Sequence, residues 1–97
     1  MRSSKHRIMF KVSEFDRGVD RVVKKIGGVR EDVEKVLKIL MGNWKIECRD
    51  AKMGKCDVKE IVFFRNCGLW YVYGVMENGW ETRYYSWAEM LKLVGVA

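Results

Sequence analysis

Positive charge is the most visible chemistry in this sequence. Nine Lys/Arg residues fall within positions 1–30 against Glu14, Asp16 and Asp20, a local balance of +6. Positions 31–97 hold ten bases and ten acids and are neutral. A basic end on a neutral body points to a polyanion, most often DNA or RNA; the plainer alternative is a charge excess that keeps the protein soluble. The candidates for phosphate contact are Arg2, Lys5, Arg7, Arg17, Arg21, Lys24 and Lys25. Arg30, Lys35 and Lys38 are candidates for contact with bases or backbone.

The aromatic side chains form a second concentration. Ten of the twelve lie between Trp44 and Trp87. Between Leu69 and Met76, alternation sends Leu69, Tyr71 and Tyr73 one way and Trp70 and Val72 the other, so both faces of this strand are apolar. One face calls for a helical cover. The other is intramolecular core, the interface of a homodimer, or a platform for stacking bases. Trp70, Tyr71, Tyr73 and Trp80 are the candidates for such a surface.

Metal and nucleophile chemistry is weakly represented. Cys48, Cys56 and Cys67 are separated by seven and ten intervening residues, and the single His6 lies near the N-terminus. That pattern contains no Cys-x-x-Cys pair and suggests no metal site. Cys48 and Cys56 flank one turn; they are either bridged or small apolar fillers. No His stands ready to activate a cysteine. Neither a glycine-rich phosphate loop nor a carboxylate pair at catalytic spacing is present. We therefore expect no cofactor, and a binding role more than an enzymatic one.

These residues need a scaffold, and periodicity supplies one. Ninety-seven residues with 48% hydrophobic and 33% charged side chains suit one globular domain over 1–97, with 1–6 as a flexible basic arm. Ile8, Phe10 and Val12 alternate with Arg7, Met9 and Lys11, which favours a short strand over the helical turn that Ile8, Val12 and Phe15 at i, i+4 and i+7 also allow. From Ser13, which could cap it, a helix places Phe15, Val19, Val22, Val23 and Ile26 in one stripe. Gly27-Gly28 ends that helix. A second stripe runs through Val29, Val33, Val36, Leu37, Leu40 and Met41 to Gly42-Asn43. Four strands are then expected: Trp44–Cys48, Val58–Arg65, Leu69–Met76 and Trp80–Tyr85. Asn78-Gly79 joins the last two as a hairpin. Ser86 to Glu89 reads as a capping box for a short final helix. The expected class is α+β, with a helical hairpin on an antiparallel meander.

The segment from Val23 to Leu37 resembles a helix-turn-helix core, with Ile26, Gly27, Val33 and Val36 at its apolar and glycine positions. The resemblance implies a second helix presenting Arg30, Glu31, Glu34, Lys35 and Lys38 to a major groove. The order of strand, two helices and meander on a small basic chain also looks like the RelE-type ribosome-dependent toxins. That likeness would make Lys52, Lys55, Lys59, Arg65, Arg83 and Tyr85 the candidates for metal-free mRNA cleavage. A non-enzymatic oligomeric scaffold pairing through its aromatic sheet face is a further alternative.

No apolar run approaches the roughly 20 residues of a membrane span, and the N-terminus has no signal-peptide h-region, so the expected location is cytoplasmic. The chain has no Pro, no Gln and only three Asn, with abundant charge, a thermophile tendency. In such an organism cytosolic cysteines need not stay reduced.

Overall fold

A computed structural model describes residues 6–95; Arg2 and Lys5, with the rest of 1–5, lie outside the described residues. The fold is α+β: a short strand, two helices, a four-stranded antiparallel sheet and a short C-terminal helix.

Strand β1 (Arg7–Lys11) follows the alternation, with Ile8 and Phe10 buried and Arg7, Met9 and Lys11 exposed. A 3-10 turn over Val12–Glu14 leads into α1 (Phe15–Ile26). This turn takes up Ser13, so the expected serine cap does not form; Glu14 stands at the cap position with no side-chain hydrogen bond. The helix closes where the Gly27 N–H donates to the Val23 carbonyl at 2.9 Å. Gly27 and Gly28 adopt φ of 99° and 102°, a conformation open to glycine and strained for side chains.

Helix α2 (Arg30–Asp50) corrects the sequence expectation that Trp44–Cys48 is a strand. Residues 44, 46 and 48 alternate, but Trp44 and Cys48 also extend the helical row of Leu37 and Leu40, and all four are buried. Ile46 decides the matter, because it is 55% exposed. Gly42 inside the helix costs about 1 kcal/mol relative to Ala. Burying one large apolar side chain is worth about 1.5–3 kcal/mol, and Trp44 is fully buried. Packing therefore outweighs the break signal.

The sheet has the order β1-β2-β3-β4, antiparallel throughout. Its central strands are β2 (Val58–Asn66) and β3 (Leu69–Met76). The fourth strand is shorter than the expected Trp80–Tyr85. It comprises only Tyr85–Ser86, preceded by an isolated bridge from Val75 to Glu81. Between them the ladder is interrupted, because the Gly74 N–H donates at 2.9 Å to the hydroxyl of the buried Thr82. Gly74 also lies under the Trp44 ring, where a Cβ would come within 2.5 Å of an indole carbon. Ser86 caps α3 (Trp87–Leu93), its hydroxyl accepting from the Glu89 N–H at 3.4 Å.

All three helices lie on one face of the sheet. Val19 and Val22 of α1 and Val33, Val36, Leu37, Leu40 and Trp44 of α2 share one buried cluster with Ile8, Phe10, Ile61, Phe63, Val72, Met76 and Trp87. The Trp87 ring meets Phe63 edge-on at 4.9 Å. Val62 and Tyr73 are buried but stand outside this cluster, on the opposite sheet face.

Cys48 and Cys56 form a disulfide with a Cα–Cα distance of 5.7 Å, fastening the end of α2 to the approach of β2. The Asn78 side chain holds the loop between them, donating to the Met53 and Lys55 carbonyls at 2.8 Å each. Cys67 is exposed and unpaired. Among the described residues, no helix is long and apolar enough to cross a membrane and no cluster of ligating side chains could hold a metal.

Candidate functional site

The sheet face turned away from the helices is built in rungs set by strand register. Arg7, Phe64, Tyr71 and Ser86 stand side by side on the first rung, and Met9, Val62 and Tyr73 on the next. Lys11, Glu60, Val75 and Glu81 make the third. Charge is therefore graded along this face. Arg7 and the aromatic side chains occupy one end, and Glu60 and Glu81 stand at the other with a single cation, Lys11.

Four rings gather at the cationic end. Phe64 stacks on Tyr71, with centroids 5.5 Å apart and planes 18° from parallel. Tyr73 and Tyr84 each meet Phe64 at steep angles, with centroids at 5.9 and 4.9 Å, and lie 5.1 Å from one another. Tyr84 is 61% exposed, the most open of the group, whereas Tyr73 is buried beneath its neighbours. Burial pushes the Tyr73 hydroxyl above its ordinary value, partly offset by the Arg7 charge. Arg7 donates to that hydroxyl at 3.3 Å.

Arg7 belongs to two adjoining clefts. One, of about 310 Å³, is lined by His6, Arg7, Phe64, Arg65, Tyr73 and Tyr84. The other, of about 350 Å³, is lined by Arg7, Ile8, Arg21, Lys24 and Lys25. Helix α1 creates this second cleft: its buried side carries Val19 and Val22, which turns Arg21, Lys24 and Lys25 outward beside the β1 edge. Arg21 is anchored there by donating to the Met9 carbonyl at 3.1 Å, covering part of the open edge of the sheet. No carboxylate lies within ion-pair distance of Arg7, Arg21, Lys24 or Lys25 among the described residues.

The remaining sequence candidates are placed elsewhere. Arg17 is exposed on α1 beside Ser13, Glu14 and Asp16, in a separate depression. Arg30 turns back onto α1 and pairs with Asp20 at 2.8 Å, and with Asp16 and Glu34 at 3.3 Å each. The residue expected at the head of a DNA-reading helix thus joins the two helices to each other. Lys35 faces the groove toward α3, and Lys38 is exposed on α2. Trp70 and Trp80 differ from the expectation of an aromatic surface: both are half-buried against the helix-side core. Phe64 and Tyr84 take their place on the outer face.

No family model, curated protein or solved structure matches this chain.

A second assembly lies in a groove of about 580 Å³ between α2 and the 83–93 segment. The Tyr85 hydroxyl donates to the Glu47 carboxylate, at 3.1 Å to Oε2. The Arg83 guanidinium lies 5.4 Å from the centre of the Tyr85 ring, and its Nε donates to the hydroxyl at 3.4 Å. Of the residues suggested by the toxin resemblance, Arg83 and Tyr85 thus come together. Arg65 lines the aromatic cleft, Lys52 and Lys55 sit on the disulfide loop, and Lys59 is on β2.

Proposed function

We propose that this protein binds nucleic acid without catalysing a reaction on it, with Arg7 at the centre of the contact surface. One observation carries the reading. Arg7, Arg21, Lys24 and Lys25, all without carboxylate partners among the described residues, line one cleft that continues at Arg7 into the aromatic cleft. Unpaired cations at fixed spacing attract a phosphate backbone and release its counterions, the main source of affinity in such complexes. The helix-turn-helix reading places contact on α2 instead, but Arg30 is held by three carboxylates. The setting we propose is the cytoplasm of a thermophile, where a closed Cys48–Cys56 bridge is tolerated.

Fluorescence anisotropy of labelled oligonucleotides at low salt tests the proposal. Binding at micromolar protein that weakens steeply with added salt is expected; absence of binding to any oligonucleotide under those conditions would reject it.

A ribonuclease of the RelE type is the second reading, favoured by the Glu47, Arg83 and Tyr85 cluster. A carboxylate that can take a proton and a guanidinium that can stabilise a phosphorane are two roles metal-free RNA cleavage uses. Growth arrest on expression that Arg83→Ala relieves is the expected result. Harmless expression together with intact RNA would end this reading.

A further inference from the structure

We infer that the nucleic acid taken by this protein is single-stranded, with unpaired bases lying on the Phe64, Tyr71 and Tyr84 face and the backbone following Arg7 into the α1 cleft. The inference rests on the nucleic-acid reading and adds the physical form of the ligand.

Three observations carry it. First, no helix covers this face: the helices all pack on the other side of the sheet, Tyr84 is 61% exposed, and Phe64 and Tyr71 are half-buried. Second, they are already organised. Phe64 is packed by Tyr71, Tyr73 and Tyr84, so a base meets ordered rings and little side-chain freedom is lost on contact. Third, the charge gradient gives the face a polarity. Arg7 stands on the same rung as Phe64 and Tyr71, while the third rung, away from the basic cleft, carries Glu60 and Glu81 with only Lys11 against them and a net negative charge.

Paired bases in a duplex are stacked on one another and hide their faces. A cationic groove beside exposed rings is the arrangement that recognises unstacked bases through their π-faces and the backbone through its charge. A second copy of this chain is the competing occupant of an exposed aromatic face. A two-fold pairing that sets the Arg7 end of one face against the Glu60 and Glu81 end of the other is electrostatically allowed; the four carboxylate-free cations of the α1 cleft are what favour a polyanion over it.

The experiment measures affinity for a short homopyrimidine strand as DNA and as RNA, and for a hairpin duplex of matched length. The protein is tested as wild type and as Tyr84→Ala, Tyr84→Phe and Lys24→Ala/Lys25→Ala variants. The wild type is expected to prefer the single strand, and binding of either sugar supports the inference. Tyr84→Ala should weaken single-strand binding about 5- to 150-fold, the effect of losing one stacked base, and leave duplex binding unchanged. Tyr84→Phe keeps the ring and should retain affinity. Because Tyr84 is exposed, an unchanged thermal melt is expected to separate loss of stacking from loss of fold.

Equal or tighter duplex binding would overturn the inference. So would a Tyr84→Ala variant with full single-strand affinity while Lys24→Ala/Lys25→Ala weakens it; both outcomes leave the broader nucleic-acid reading standing. Failure to bind any strand removes both. A wild-type dimer that Tyr84→Ala converts to monomer without altering single-strand affinity would assign the face to a second copy and overturn the inference as well.

Discussion

Replacing Lys24 and Lys25 together by Ala tests whether phosphates of the proposed ligand sit in the α1 cleft, and the cleft sets the size of the effect. Four cations line it: Arg7, Arg21, Lys24 and Lys25. If each neutralises one phosphate, log K against log salt for a single strand falls with a slope of about −2.8, at about 0.7 per contact. Raising salt from about 50 to about 200 mM then weakens wild-type binding about 50-fold. With two cations left the slope becomes about −1.4, and the same change weakens the variant only about 7-fold. Anisotropy titrations at several salt concentrations read the slope directly. Arg30→Gln is the control, because Asp16, Asp20 and Glu34 already engage that guanidinium; its slope should match wild type. An unchanged slope in Lys24→Ala/Lys25→Ala, with a reduced one in Lys35→Ala/Lys38→Ala, would refute the cleft and move the contact to α2.

Three further predictions concern the scaffold. Gly42→Ala should raise stability by about 0.5–1 kcal/mol, because Gly42 is inside α2 with nothing within 4 Å of its Cβ direction. Gly74→Ala should lower stability by about 1–3 kcal/mol through overlap with the Trp44 ring; denaturant melts showing no gain in the first and no loss in the second would contradict a continuous helix packed on β3. Reducing Cys48–Cys56, eight positions apart, should lower stability by about 2–3 kcal/mol. A thermal midpoint indifferent to reductant would mean that the bridge does not constrain the unfolded chain.

Much of the fold was legible where one period prevailed along a segment. The alternation at Ile8 and Phe10, the stripe through Val19 and Val22, the glycine pair and the Ser86 cap all lie where expected. Residues 44–48 misled because Trp44 and Cys48 share a face in either a strand or a helix. Only the exposure of Ile46 separates the two, and exposure depends on partners far away in the chain.

The same limit applies to the site. Both sides of β2 and β3 are apolar, so composition could not say which rings face the helices. Trp70 joins the core because its side of β3 meets α2 and α3, and Phe64 lies outward because its register places it beside Arg7. Tyr84 was harder still to foresee. Its position depends on the interruption of the ladder at Thr82, which no local pattern announces. The basic stripe of α1 was readable as a stripe; that Arg30 would leave the cationic set required the helices to be brought together.

The register of β1 has a consequence for how the protein reaches its working form. Arg7 pairs with Phe64 across 57 positions of chain, so this contact closes one of the longest loops in the molecule. Local helices form quickly, and the β2–β3 hairpin needs only a short turn. Closure of a long segment has a higher entropic cost, and its contacts stabilise nothing until it is complete. Arg7 is thus expected to reach the aromatic rung late in folding. A chain caught before that step would have its helices and hairpin but no joined cleft, and nascent or partly unfolded molecules would stay silent toward the proposed nucleic acid until β1 docks.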